Sequence, residues 1–191
     1  MTADTTTNVS IKAHSFKTLL KFIEKELTLE QREAAIASLP PELRQYTQKV
    51  VLASDWLPFE AVTALTEAAA EAKGEPLETF TQRAGRFAAN SAVNTIYKWL
   101  AFLKTPDYVL SKASQTFSTF YNRGSMDVER LSEKNARVTL REFPASPAAC
   151  GRITGWMMEL GEMTRAPNMQ VIHTECRSKG APCCQWLISW E

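Results

Sequence analysis

The apolar positions of this chain follow a helical period through its first two thirds. One apolar stripe begins after Ser15, which is a suitable N-cap. A second short pattern ends at Pro40, and an alanine-rich third pattern ends at Gly74. The longest stripe follows Pro76 and continues to Phe102. Such patterns predict a series of helices, each with one buried face.

The helical period gives way to alternation in the last third of the chain. Pro106 restarts a helix as far as Tyr121, and Gly124 suits the turn that follows. Residues 126–129 and 136–143 then alternate between apolar and polar side chains on either side of a polar turn. This arrangement predicts an antiparallel β-hairpin.

The final segment predicts one more helix and one more hairpin. Ser146 and Pro147 form a helix-start pair, with an N-cap followed by proline at the first helical position. Residues 169–176 and 183–190 then flank a glycine turn. The order predicts an α+β fold in which N-terminal helices pack on a small antiparallel sheet, made of two hairpins with a helix between them.

Length and composition agree with one globular domain. The chain has 191 residues, of which 45% are hydrophobic, and we expect a disordered tail at residues 1–9 and a single domain over residues 10–191. A net charge of +1 favours neither nucleic acid nor an anionic membrane. We see no signal-peptide pattern and no apolar run of the roughly 20 residues that span a bilayer. We therefore expect a cytoplasmic protein with reduced thiols.

All four cysteines lie in the last quarter of the chain. Cys150 is alone on the last predicted helix, whereas Cys176, Cys183 and Cys184 lie with His173 around the second hairpin turn. Three thiols and an imidazole are the ligands of a closed zinc site. Neighbours on a strand point to opposite faces, and Cys184 shares its face with the more apolar residues. We therefore predict a metal site at Cys150, His173, Cys176 and Cys184.

Two other interpretations of these residues remain open. Buried cysteines often act as small hydrophobic side chains, and a strand histidine is more often part of a hydrogen-bonded core. The adjacent Cys183 and Cys184 would form a redox switch only through a strained vicinal disulfide.

The longest stripe offers a second candidate site. Its side chains are mostly large and apolar, but they become small or polar at Ser91 and Thr95. Such a stripe is either the buried face of a core helix or the wall of a cavity for a hydrophobic ligand. On the second interpretation, the candidate ligand-lining residues are Phe80, Phe87, Trp99, Phe117 and Trp156.

The ending of the chain resembles that of a known family. Residues 173–186, H-T-E-C-R-S-K-G-A-P-C-C-Q-W, are similar to the end of the 4-vinyl-reductase domain family. They are more similar still to a bacterial family of paralogues with the same ending. Both families resemble a wider group that includes the haem-nitric-oxide-binding domain and the TRAPP vesicle-tethering subunits. The resemblance covers roughly residues 10–190 and implies the fold of that group and a homodimer.

The resemblance also implies a structural zinc ion. Phenol-sensing members of the vinyl-reductase family hold zinc with a helix cysteine, a glutamate and two hairpin cysteines. Cys150 falls at the helix cysteine, Cys176 and Cys184 fall at the hairpin pair, and His173 stands where the glutamate does. Haem-binding relatives need a histidine on a central helix and a Tyr-x-Ser-x-Arg motif. This chain shows neither, so haem is not expected.

The expected function is that of a non-enzymatic small-molecule sensor or carrier. The ligand would be a hydrophobic molecule or lipid, zinc would be structural, and the signal would pass through contact with a protein partner. The alternative is an assembly protein similar to TRAPP subunits, with a filled core and no ligand. No enzyme is expected, because the sequence shows no nucleophile–base pair and no phosphate-binding glycine loop.

Overall fold

A computed structural model describes residues 9–95, 105–164, 166 and 168–191. Within these ranges the chain forms seven α-helices and six strands. In chain order they are β1 (Ser10–Lys12), α1 (Ala13–Glu26), α2 (Leu29–Ser38), α3 (Pro41–Gln48), β2 (Trp56–Pro58), α4 (Phe59–Lys73), α5 (Leu77–Thr95), α6 (Pro106–Phe120), β3 (Ser125–Ser132), β4 (Asn135–Arg141), α7 (Pro147–Met163), β5 (Gln170–Glu175) and β6 (Cys184–Ser189). A short 3-10 turn, Arg177–Lys179, connects the last two strands.

The larger sheet is antiparallel and has the strand order β3-β4-β6-β5. The two hairpins join where β4 pairs with β6, and Val138 lies opposite Trp186. Both of these side chains are buried, whereas Ile172 and Leu187 on the outer face are exposed. A sheet with one buried and one exposed face is what the alternating pattern requires. The predicted fold class, helices packed on a sheet of two hairpins, is confirmed.

Helices α5 and α7 pack against each other more closely than ordinary side chains allow. A Cβ atom at Gly155 would lie 1.9 Å from the backbone oxygen of Gln82. A side chain at this position would push the helices apart, so glycine sets their separation. On its other side α7 contacts the sheet, where Trp186 Nε1 donates a hydrogen bond to Thr154 Oγ1 at 2.8 Å. Helix α7 is therefore fixed between α5 and the sheet.

The hydrophobic pattern does not predict the small second sheet. Strands β1 and β2 pair so that the buried residues Ile11 and Leu57 lie opposite each other. Each strand has only three residues, too few for alternation to be recognised. Helix α1 consequently begins at Ala13, whose N–H donates to the Asp55 carbonyl at 2.8 Å. The prediction that Ser15 is the N-cap is wrong, because Ser15 is buried inside the helix.

The structure also bears on the predicted N-terminal tail, the longest helix, the turn at Gly124 and a membrane span. Residues 1–8 of the predicted tail lie outside them, and Val9 is buried, with its carbonyl accepting a hydrogen bond from the Phe59 N–H at 2.9 Å. The longest helical pattern is helix α5 as far as Thr95, and its continuation lies outside the described residues. The predicted turn at Gly124 is confirmed by a φ of 84°. None of the helices in the described ranges combines the length and apolarity that crossing a bilayer requires.

Candidate functional site

Cys150 lies one turn into helix α7, whose start is fixed by a side-chain cap. The Ser146 hydroxyl accepts a hydrogen bond from the Ala149 N–H at 3.1 Å, and Pro147 occupies the first turn. This is the predicted helix-start pair, and it is confirmed. Cys150 itself is 4% exposed, so its thiol is held inside the protein.

The turn between β5 and β6 holds two more thiols. Cys176 precedes the 3-10 turn, and Gly180 completes it with a φ of 92°, a conformation that favours glycine. The Arg177 N–H donates to Cys184 Sγ at 3.5 Å, and Cys176 Sγ lies 3.0 Å from Ser178 Oγ. The turn therefore surrounds both sulfurs with hydrogen-bonding groups.

The four predicted metal ligands meet at one point. The ligand atoms of Cys150, His173, Cys176 and Cys184 all lie within 4.8 Å of one another. Cys150 Sγ is 3.8 Å from both Cys176 Sγ and Cys184 Sγ. Tetrahedral zinc, with Zn–S bonds of about 2.3 Å, separates its sulfur ligands by about 3.8 Å. The sulfur separations therefore equal those of a tetrahedral site.

His173 lies on β5, and its ring packs on the buried side chain of Trp186. Its ring stacks on Trp186, with centroids 4.6 Å apart and an interplanar angle of 16°. Trp186 is fully buried and is hydrogen-bonded to Thr154 of α7. The Nε2 atom of His173 is buried and has no hydrogen-bond partner in the described part of the chain. An unpaired buried nitrogen beside three sulfurs is suited to coordinate a metal.

The groups around Cys184 lower its pKa and so favour its thiolate form. The bond from Cys150 lowers the pKa of Cys184 most, and His173 and the Arg177 N–H lower it further, against the opposing effect of burial. The pairing with Cys184 raises the pKa of Cys150, and burial adds to that rise. The protein alone therefore stabilises one thiolate, which is the form that binds metals.

Cys183 lies outside the cluster although it is also buried. Its Sγ is 3.5 Å from Gln185 Nε2, on the opposite side of the strand from Cys184. Cys184 is the first residue of β6 and shares its buried face with Trp186 and Ile188. The strand-parity argument therefore assigns the two cysteines to the same faces as the structure does.

A second feature is an apolar cavity of about 110 Å³ between α1, α5, α6, α7 and the sheet. Most of its wall comes from α6 and α7, including Val109, Phe117, Ile153 and Leu160. An apolar cavity of about 150 Å³ holds benzene. The present cavity is therefore close to the size of one aromatic ring.

Only some of the predicted lining residues belong to the cavity wall. The sequence predicts five lining residues: Phe80, Phe87, Trp99, Phe117 and Trp156. Phe117 and Trp156 are in the wall. Phe80 and Phe87 are not among its wall residues, and both rings pack on Phe22 of α1 at centroid distances of 5.3 and 5.5 Å. Their face of α5 belongs to the helical core. Trp99 lies outside the described residues.

The wall also carries polar side chains that the sequence analysis does not identify. His14 of α1 and Arg152 of α7 each have a buried nitrogen, Nε2 and Nη1 respectively, without a hydrogen-bond partner among the described residues. Burial lowers the pKa of His14, and the cations Lys21, Arg152 and Lys17 lower it further. Burial lowers the pKa of Arg152, whereas Tyr121 raises it. The cavity therefore has one cationic and otherwise unpaired polar region.

The composition of helix α7 is the sequence feature that could have indicated a buried Arg152. Arg152 is the only basic residue between Pro147 and Met163, in a segment of mostly small and apolar residues. A helix of this composition is buried on nearly all sides. Its one guanidinium is therefore expected in the interior, and Arg152 is indeed buried.

Solved structures of the same fold are H-NOX proteins. The Fe(II) unliganded H-NOX protein from K. algicida is 14% identical, with a TM-score of 0.75 over 95% of this chain and 97% of that chain. An H-NOX protein from S. oneidensis in the Fe(II)NO ligation state is 11% identical, with a TM-score of 0.76 over 95% and 99%. An oxygen-binding H-NOX domain related to soluble guanylate cyclases, in its oxygen complex, is 9% identical, with a TM-score of 0.68 over 95% and 95%. The fold is therefore H-NOX-like.

The chain belongs to the DUF2378 family, described as "Protein of unknown function", whose family model matches residues 6–191. A search of curated protein sequences gives no match. The resemblance to the haem-nitric-oxide-binding group is confirmed at the level of the fold. The resemblance to 4-vinyl-reductase domains and TRAPP subunits gains no support from these matches.

The prediction that haem is not expected is contradicted by this likeness. H-NOX proteins are haem-binding domains, and their fold covers 95% of this chain. The prediction relied on a histidine and an arginine motif at particular places along the sequence. The fold instead brings another imidazole, His14, and another guanidinium, Arg152, to one cavity from α1 and α7.

The nitrogen donors of the cavity are of the kinds that bind haem, but the cavity itself is too small for it. The unpartnered Nε2 of His14 is a nitrogen of the type that binds haem iron, and Arg152 would pair with a haem carboxylate. Haem bound there would supply an iron centre for a small ligand. The cavity of about 110 Å³ is below the roughly 300–1,000 Å³ of most ligand pockets. In its present form it suits a molecule smaller than haem.

Proposed function

We propose that this chain is a non-enzymatic ligand-binding module, a sensor or carrier of a small hydrophobic molecule. A structural zinc ion would be held by Cys150, His173, Cys176 and Cys184. The module would act in the cytoplasm and pass its signal on through contact with a protein partner. The apolar cavity between α6 and α7 is the observation that carries this proposal. The H-NOX relatives, described with Fe(II), nitric oxide or oxygen, support it by analogy of fold.

The energetic cost of the cavity favours a ligand over an empty core. An enclosed void costs about 24 cal/mol per Å³, so about 2–3 kcal/mol is the upper limit for this partly open cavity of about 110 Å³. That is a large part of the roughly 5–15 kcal/mol that keeps a domain folded. An apolar ligand would restore the missing contacts with side chains such as Phe117 and Trp156. An assembly protein without a ligand would gain nothing from such a void.

The geometry of the cysteine cluster favours a structural rather than a catalytic metal. Four protein ligands complete the tetrahedral coordination of zinc and leave no position for water. Without a metal-bound water, zinc has no hydrolytic chemistry to perform. The cluster would instead join α7 to the β5–β6 turn, since Cys150 comes from the helix and its partners come from the hairpin.

Helix α7 belongs to both features, and this suggests how a ligand would be sensed. Cys150 is in the cluster, while Ile153 and Trp156, within the following two turns of the same helix, are in the cavity wall. A ligand that displaces α7 would also strain the zinc-mediated link between Cys150 and the hairpin residues of the cluster. Zinc would then hold the helix–sheet contact while the cavity side of the helix responds.

Binding of toluene, a neutral apolar ring, tests the proposed function. Toluene at 100 times its dissociation constant should stabilise the protein by about 2.7 kcal/mol. For a chain of this length that corresponds to a rise in the melting temperature of about 5–10 °C. Thermal unfolding at increasing toluene concentrations measures this shift.

A cavity-filling variant provides the control. Ala113 lies in the cavity wall, and Ala113→Phe should fill the space and abolish the shift. Ala34→Phe places the same ring on an exposed position of α2 and should leave the shift unchanged. An equal shift in all three proteins would place toluene elsewhere and contradict the proposal, as would the absence of any shift in the wild type.

A further inference from the structure

The cavity wall contains a buried charge without a counter-ion. Arg152 is 8% exposed, and its Nη1 atom has no hydrogen-bond partner. Its Nη2 atom lies 3.5 Å from the backbone oxygen of Ser15, at the limit of hydrogen-bond distance. Within the described ranges no carboxylate forms an ion pair with Arg152. A guanidinium nevertheless stays charged in a folded protein.

Such an arrangement is unusual because buried charges in proteins are nearly always paired. Several cations near Arg152 add to the positive potential, although Tyr121 acts in the opposite direction. Lys17 and Lys21 act on the adjacent His14 in the same direction as Arg152 does, and Lys112 is in the cavity wall. The apolar cavity therefore has in its wall a guanidinium that no carboxylate in the described part of the chain neutralises.

We propose that the cavity binds a hydrophobic carboxylic acid whose carboxylate pairs with Arg152. The inference rests on the proposed function, because it names the ligand class of the same cavity. A guanidinium binds a carboxylate through two parallel hydrogen bonds, and Nη1 is unpaired. The apolar body of the acid would lie against Phe117 and Trp156. His14, whose Nε2 is also unpaired, would contribute a further hydrogen bond to the acid.

The cavity volume limits the size of this acid. About 110 Å³ is slightly less than a cavity that holds benzene. The ring of benzoate is therefore the probe that matches the cavity, and the longer chain of octanoate tests whether the cavity can widen. Each has a neutral counterpart of similar shape, benzyl alcohol and 1-octanol, which lacks the charge but fills the same space.

Calorimetric titration of the wild-type protein with each pair measures the contribution of the charge. A hydrogen-bonded carboxylate should make the acid bind about 10- to 100-fold more tightly than its alcohol. In Arg152→Met this preference should disappear, while the alcohols continue to bind. Methionine keeps an unbranched side chain and removes a buried charge, so the variant should fold and remain stable. Thermal unfolding checks this.

A matched arginine variant controls for the loss of positive charge. Arg86 forms ion pairs with Glu159 and Glu162 and is not in the cavity wall. Arg86→Met should therefore preserve the preference for acids. Haem also carries carboxylates, so haem itself could be the ligand that pairs with Arg152. A parallel titration with haem, followed by visible absorption, distinguishes haem from a simple hydrophobic acid. Haem binding lost in Arg152→Met and kept in Arg86→Met would identify haem as the carboxylate ligand.

The proposal is overturned if Arg152→Met changes neither the acid preference nor haem binding. This outcome is distinct from failure of the proposed function. If the alcohols and toluene bind while the acids gain nothing from Arg152, only the present inference fails. If no apolar probe binds at all, both fail together.

Discussion

Replacing Cys184 by alanine is expected to abolish zinc binding and to lower the free energy of unfolding by at least about 4 kcal/mol. Cys184 Sγ is 3.8 Å from Cys150 Sγ and accepts a hydrogen bond from the Arg177 N–H, so it links the helix and the turn. Without it, three ligands remain and α7 loses its metal connection to the hairpin. Elemental analysis of reduced protein should find about one zinc per wild-type chain and almost none in Cys184→Ala. Urea unfolding measures the accompanying loss of stability.

The neighbouring cysteine is a matched control for this variant. Cys183 is as deeply buried as Cys184, but its sulfur is directed to Gln185 instead of the cluster. Cys183→Ala should keep about one zinc per chain and cost about 1 kcal/mol, a typical value for a point substitution. If Cys183→Ala lost the metal and Cys184→Ala kept it, the assignment of the two cysteines would be reversed.

Trp186→Ala is expected to lower the free energy of unfolding by about 3–5 kcal/mol. The Trp186 side chain is fully buried between the sheet and α7, and its Nε1 donates to Thr154 Oγ1 at 2.8 Å. Its ring also supports His173, with centroids 4.6 Å apart. Because residues behind a metal ligand set its orientation, zinc affinity should fall about 10- to 100-fold. Urea unfolding and competition with a zinc chelator measure the two effects.

Two further tryptophan variants separate these effects. Trp56 is 45% exposed, and its main contact is with Lys12, so Trp56→Ala should cost less than about 1 kcal/mol and leave zinc affinity unchanged. Trp186→Phe keeps an aromatic ring beneath His173 but loses the hydrogen bond to Thr154. It should retain most of the zinc affinity. Equal zinc affinity in Trp186→Ala and the wild type would show that His173 does not depend on this support.

Periodicity predicts much of the fold because long elements repeat their pattern several times. The change from a period near 3.6 to a period near 2 separates α6 from the β3–β4 hairpin, and the cap at Ser146 marks the start of α7. The three-residue strands β1 and β2 contain too few positions for a pattern, so they are missed. The start of α1 is then misplaced at Ser15, because β1 and the Asp55 carbonyl determine it.

The cysteine cluster could be located from the sequence because it depends on local geometry. A helix start sets the position of Cys150, and strand parity separates Cys184 from Cys183. The cavity could not be located in the same way, because its wall combines α1, α6, α7 and the sheet. Phe80 and Phe87 illustrate the difficulty. Their stripe on α5 is apolar, but periodicity does not show that this face packs on α1.

The haem prediction failed for a related reason. A motif search asks for given residues at given spacings, whereas a binding site needs the right atoms at one place in space. His14 and Arg152 are 138 positions apart along the chain, and yet both line the same cavity. Only the packing of α1 beside α7 brings them together.

A crystal structure of the reduced protein, prepared with zinc and toluene, tests the account most directly. It should contain one zinc bound by Cys150, Cys176 and Cys184 at about 2.3 Å and by His173 at about 2.0–2.1 Å. It should also show toluene between α6 and α7, against Phe117. A metal-free cluster together with a cavity filled by protein side chains would contradict the account.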